Sequence, residues 1–185
     1  MKAKSLLDQW VDLKEDFPRH IVLIQCGVFY ETYQEDAEFL SEILNIKIEG
    51  PHKEDKFLLD SLQSQGEMFG MPARNCIPDK WLVDGDKVYL GNEELDVIFT
   101  PGHTPGHIVF FNASSKLALV GDVIFNGSIG RTDLPRGNHQ DLIDSISQKL
   151  WKLGNDVEFV CGHGPNSTFG QERVSNPFVS DTALS

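Results

Sequence analysis

A chain of 185 residues with 40% apolar composition can bury one core of ordinary domain size, with room for a small appendage. Its 28 acids against 16 bases leave a formal charge of −12, which argues against non-specific binding to nucleic acid or to an anionic membrane, since both need a surplus of Lys and Arg. No apolar run reaches the roughly 18 residues of a membrane span, the opening MKAKSLLDQWVDLKEDF lacks the apolar core of a secretory signal, and the widely spaced Cys26, Cys76 and Cys161 form no CxxC pair, so a reducing, cytoplasmic setting is expected.

In chain order, Leu6, Leu7, Trp10, Val11 and Leu13 form an apolar stripe at helical spacing that stops at Phe17-Pro18. Residues 20–26 (HIVLIQC) are an apolar run of strand length, and Gly27 allows a bend into VFYETY. Residues 34–44 read as a helix, acidic in its first turn as the positive helix N-terminus favours, with Ala37, Leu40, Ile43 and Leu44 on one face. Ile46 and Ile48 alternate as in a strand. Gly50-Pro51 is a strong breaker and divides the chain into a segment of residues 1–50 and one of residues 51–185. Beyond it the pattern predicts a helix over 53–65, an irregular stretch over 67–80, and strands over 87–91, 95–100, 107–112 and 116–121. An amphipathic helix over 139–153, a strand over 156–160 and a short helix over about 167–174 complete a layered α/β or α+β order.

Three loops share one design. TPGHTPGH (100–107) follows an apolar strand and packs His103 and His107 onto a tight turn; Asp122 follows LALVG; His163 follows DVEFV within CGHGP. Each is a metal-capable side chain just past a strand and beside a glycine, and strand-end loops are where α/β folds gather their sites. Imidazole and carboxylate together suit zinc, iron or manganese.

The stretches TPGHTPGHIVFF, GDVIFNGSIGRTDLPRGN and FVCGHGPNSTFGQER resemble the C-terminal part of the glyoxalase II-like hydrolases (the hydroxyacylglutathione hydrolase family) of the metallo-β-lactamase fold. The resemblance implies a partial metallo-β-lactamase-like α/β half. It implies that His103 binds one metal and His163 a second, with Asp122 bridging the two as the catalytic carboxylate. His107, Arg131 and Asp133 would support these ligands from behind, though His107 also fits an ordinary loop histidine. The implied cofactor is zinc, with iron or manganese as alternatives, and the implied substrate is a small thioester such as lactoylglutathione. The family's HxHxDH motif is absent: the six histidines stand at 20, 52, 103, 107, 139 and 163, none of them two apart. Three of the seven protein ligands of a binuclear site are thus kept. An incomplete set is equally compatible with no bound metal, and little or no turnover is expected of a monomer. Because the family fold has two similar halves about a pseudo-twofold axis, a homodimer could pool two sets of three ligands. His20 and His52 are the other imidazoles open to recruitment.

Residues 5–48 resemble the start of domain I of the mismatch-repair protein MutS, an α/β segment whose GDFYE stretch carries a Phe-x-Glu motif. Here it reads Gly27-Val28-Phe29-Tyr30-Glu31, placing Phe29 and Glu31 on the motif's base-stacking and base-bonding positions and Val28 in place of Asp. The resemblance makes the chain a fusion and offers a small mismatch-DNA or protein-interaction module as the alternative function. Five Lys/Arg against ten Asp/Glu in residues 1–50 argue against the nucleic-acid form of it. In the alternative, Phe29 and Tyr30 are plain strand residues.

Overall fold

The computed structural model describes residues 12, 15, 16, 24–26, 29–31, 48–70 and 75–185. The strand pair predicted near the start is present: β1 (Ile24–Cys26) and β2 (Phe29–Glu31) pair antiparallel, with Cys26 opposite Phe29 and Ile24 opposite Glu31. The predicted helices before and after that pair, the alternation at Ile46 and the side chain of His20 lie outside the described residues. β3 (Glu49–Gly50) leads into a 3-10 turn (Lys53–Asp55), α1 (Lys56–Leu59) and α2 (Leu62–Phe69). The single helix expected over 53–65 is therefore two. The break falls at Asp60-Ser61, whose short polar side chains favour helix ends over interiors, and Ser61 occupies the N-cap of α2. By contacts the chain divides into two compact units, residues 1–48 with 60–79, and residues 49–59 with 80–185.

The second unit is built on a six-stranded sheet. β4 (Lys80–Trp81) pairs parallel with β3, outside that sheet. β5 (Lys87–Leu90) and β6 (Glu93–Phe99) form a hairpin, β7 (Ile108–Asn112) runs back along β6, and β8 (Leu117–Gly121) runs back along β7. β9 (Ile124–Phe125) and β10 (Ser128–Ile129) make a separate small hairpin around Asn126-Gly127, which the sequence pattern did not predict. After α3 (His139–Asp144), β11 (Glu158–Cys161) adds parallel to β8, and β12 (Ser167–Thr168) closes the edge ahead of α4 (Phe169–Ser175). The order is β12-β11-β8-β7-β6-β5.

Alternation along the strands explains the core. Val109 and Phe111 on β7, Ala118 and Val120 on β8 and Phe159 on β11 are buried on one face. The helix predicted over 139–153 covers them, and its Leu142, Ile146 and Leu150, spaced four apart, are fully buried in the same cluster. Each such side chain stabilises the fold by about 1.5–3 kcal/mol. The helical run is continuous but changes pitch, passing from α3 into a π-helical segment (Ser145–Lys149) and a 3-10 turn (Leu150–Leu153). The change begins where serine hydroxyls take up backbone carbonyls: Ser145 donates to Pro101 O at 2.8 Å and Ser147 to Ile143 O at 2.7 Å. The second, to a carbonyl four positions back, competes with the helix ladder. Phe169 extends the core, its ring 5.5 Å from that of Phe159 and 5.7 Å from that of Trp151. Among the described residues no helix is long and apolar enough to cross a membrane.

Candidate metal centre

β7 reverses the chain between β6 and β8, and β11 is parallel to β8, so β6, β8 and β11 all run the same way. The loops leaving their C-terminal ends therefore gather at one end of the sheet, and these loops carry His103, Asp122 and His163. Register brings the last two together: Cys161 pairs with Gly121, and Gly162 N–H donates to Gly121 O at 2.8 Å.

Both imidazoles turn toward one carboxylate oxygen. His103 Nε2 lies 3.6 Å and His163 Nε2 3.5 Å from Asp122 Oδ2. The His103 side chain is 14% exposed and that of His163 73%, so one imidazole is set into the fold and the other stands at its surface. His103 Nδ1 is 2.8 Å from Arg131 O. A carbonyl only accepts, so Nδ1 carries the proton and donates, which leaves the Nε2 lone pair free on the side of Asp122. The Arg131 side chain itself is exposed and forks onto Asp133 with two 2.7 Å bonds. What reaches the site from Arg131 is a backbone acceptor, which no side-chain motif announces.

His107 acts on the same carboxylate residue through the main chain. Asp122 N–H donates to His107 Nε2 at 3.3 Å, and His107 Nδ1 is 3.4 Å from Thr100 Oγ1. Nε2 accepts, so Nδ1 bears the proton and donates to the hydroxyl. Burial, and after it the charge of His103, push the His107 pKa down to about 4. Thr100, fully buried at the base of the turn, is a supporting residue that the motif reading did not single out. Glycines permit the crowding. A β carbon at Gly162 would run into Asp122 Oδ1, and one at Gly121, where φ is +51°, would stand 2.8 Å from His107 Nε2.

The other candidates have different partners. His52 caps the 3-10 turn, its Nδ1 accepting from Glu54 N–H at 3.4 Å, with its ring 4.3 Å from that of Phe99. Phe29 and Glu31 are on β2, in the first unit.

Imidazole nitrogen and carboxylate oxygen are donors of the right kind for zinc, iron or manganese. With metal–ligand bonds of about 2.0–2.2 Å, two donors on one tetrahedral ion stand roughly 3.3–3.6 Å apart. The measured 3.6 and 3.5 Å agree. The set falls short in number: it offers one imidazole on either side of Asp122, and among the described residues no three His, Cys, Asp or Glu donors form a ready cage.

The sequence pattern of the family described as the metallo-beta-lactamase superfamily matches residues 36–163. The chain is 43% identical over 143 residues to "Hydroxyacylglutathione hydrolase GloC" of Haemophilus influenzae, covering 76% of this chain and 68% of that protein. Among solved structures it is similar to the BLEG-1 B3 metallo-beta-lactamase, with TM-score 0.67, 31% identity and coverage of 78% and 70% of the two chains. It is similar also to TTHA1623 in a di-iron-bound form, with TM-score 0.65, 30% identity and coverage of 76% and 69%. The mixed α/β fold matches these neighbours. The chain spans 61% to 68% of the length of the first four curated relatives it matches.

Proposed function

Because this chain belongs to the metallo-beta-lactamase superfamily, we propose that it is a glyoxalase II-like hydrolase relative with a half-complete metal site, directed at small thioesters such as lactoylglutathione and turning over weakly or not at all as a monomer. One observation carries this reading: two imidazole Nε2 atoms converge on Asp122 Oδ2, and the Arg131 carbonyl holds His103 in the tautomer that frees its Nε2. His103 with Asp122, and Asp122 with His163, would each hold one ion. Zinc is the proposed metal and iron or manganese fits the same donors; the di-iron form of TTHA1623 supports a binuclear reading. A bound metal supplies coordinated water of lowered pKa and a polarised thioester carbonyl. The chain's own residues orient the donors: His107 pins the backbone of Asp122, and Arg131 O fixes the ring of His103. The missing donors are proposed to come from a second copy of this chain, whose His103, Asp122 and His163 would bring the set to six.

The test is metal content per chain, by elemental analysis of protein purified without chelator or affinity tag, alongside lactoylglutathione hydrolysis. Roughly one or more ions per chain, lost in His103→Ala together with any turnover, is the expected result for concentrated protein. Folded protein that takes up no added zinc at any concentration overturns the reading. Full turnover by a dilute monomer overturns the half-site.

We propose as a second reading that residues 1–50 form a separate segment joined at Gly50-Pro51 to residues 51–185, although the superfamily pattern already begins at residue 36. Phe29 and Glu31 both lie on β2, the strand paired with β1. Stacking of one phenylalanine contributes roughly 1–3 kcal/mol per base, so mismatched duplex should bind weakly, lose affinity with salt and release on Phe29→Ala. Absence of binding at low salt ends this reading.

A further inference from the structure

Asp55 closes the 3-10 turn before α1 and is 7% exposed. Both of its oxygens are engaged on a loop 49 to 51 positions away: Thr104 Oγ1 donates to Oδ2 and Gly106 N–H donates to Oδ1, each at 2.6 Å. The main chain repeats the link, His52 N–H donating to Gly106 O at 3.2 Å. A β carbon at Gly106 would stand 2.6 Å from Asp55 Cγ, so the carboxylate and the glycine are fitted to each other. Burial raises the Asp55 carboxyl pKa, while the bonds from Thr104 and Gly106 lower it. A buried carboxylate is an expensive way to fill space, and this one is spent on the turn that presents His103.

The remaining supports of that turn act elsewhere on it. Thr100 N–H donates to His107 O at 2.9 Å, Gly102 N–H to Thr104 O at 3.0 Å, and Asn138 N–H to Gly102 O at 2.8 Å. These fix the base and the leading half. The trailing half, residues 104–106, is tied by Asp55 and the adjoining His52 amide.

We propose that Asp55 is a positioning residue for His103: by clamping Thr104 and Gly106 it sets the turn so that His103 Nδ1 meets Arg131 O and Nε2 faces Asp122. The inference rests on the metal-site reading for its functional meaning, but its test uses metal-free protein, so the two fail separately.

The experiment is a two-bond nitrogen–proton correlation of the histidine rings in full-length protein at about pH 8, where imidazoles are neutral. Wild type is expected to show His103 as the Nδ1–H tautomer. In Asp55→Ala the pure Nδ1–H pattern of His103 is lost to a mixture with Nε2–H, while His163, on a loop that Asp55 does not touch, keeps its signals. Asp55→Asn, which retains one acceptor oxygen and the side-chain shape, recovers most of the Nδ1–H pattern. A folded Asp55→Ala protein whose His103 stays wholly Nδ1–H overturns the proposal. So does one in which His103, His107 and His163 change together, since that reports general loosening. If Asp55→Ala does not fold, Thr104→Val removes the Oδ2 bond alone: partial loss of the His103 pattern supports the proposal and an unchanged pattern overturns it.

Discussion

At His107 one ring holds two partners, and holding both at once requires it to be neutral. Its Nε2 must accept from Asp122 N–H while Nδ1 donates to Thr100, and a doubly protonated ring can do only the second. Burial first and the His103 charge second place its folded pKa at about 4, below the ordinary 6.5. As pH falls, the unfolded chain takes up this proton before the folded one does. Stability from His107 is therefore complete above about pH 6.5 and is lost progressively between there and about pH 4. At pH 4.5 the expected loss is about 2–3 kcal/mol, read as a lowered urea midpoint. His107→Gln removes this titration, so its stability should be lower than wild type at pH 7 yet flatter across the same window. A variant that tracks the wild-type acid profile would show that other groups govern it.

At the scale of elements, α4 does for the His163 side of the site what the turn at Asp55 does for the His103 side. Glu172 is 1% exposed and takes three donors: Ser167 Oγ at 2.5 Å, Gly127 N at 2.8 Å and Asn176 Nδ2 at 2.9 Å. One carboxylate thus joins α4, the start of β12 and the turn of the β9–β10 hairpin, whose Phe125 ring is 6.0 Å from the ring of His163. Glu172→Ala removes the acceptor shared by half-buried Ser167, exposed Gly127 N–H and buried Asn176, which keeps its bond to Ser128 O at 3.0 Å, and should cost about 1–3 kcal/mol, measured by urea unfolding. Faster amide exchange at Gly127 than at β7 would localise the effect to the hairpin. Equal loosening throughout the sheet would mean that Glu172 supports the whole unit. Neither Asp55 nor Glu172 could be singled out from sequence, because each is an unremarkable acid in a helical stretch whose meaning comes from partners far along the chain. What was legible was local. HIVFFN and KLALVG are short apolar runs bounded by turn residues, and PGHTPGH, GD and CGHG advertise loops at strand ends, where His103, Asp122 and His163 lie. Asn126-Gly127 was a turn signal between Ile124-Phe125 and Ser128-Ile129, too short at two residues a strand to register as periodicity.

At the scale of the whole molecule, the net charge of −12 opposes the meeting of two copies that the half-site calls for. The repulsion is long-ranged at low salt and is cut back as the screening length falls from about 10 Å at 0.1 M to about 3 Å at 1 M. Self-association should therefore strengthen as salt rises, and metal retained per chain should rise with it. Any binding of a mismatched duplex by residues 1–50 would have the opposite sign, because it would gain its free energy from released counterions and weaken as salt is added. One salt series, read by sedimentation velocity for the dimer and by elemental analysis for the metal, separates the two. Dimer and metal rising together from about 0.05 to about 0.5 M salt, with both abolished or reduced by His103→Ala, is the expected outcome for a site shared between copies. A dimer that dissociates as salt rises would place opposite charges in its interface rather than apolar surface, and metal that stays constant while the dimer forms would mean that the donors on one chain bind it without the second copy.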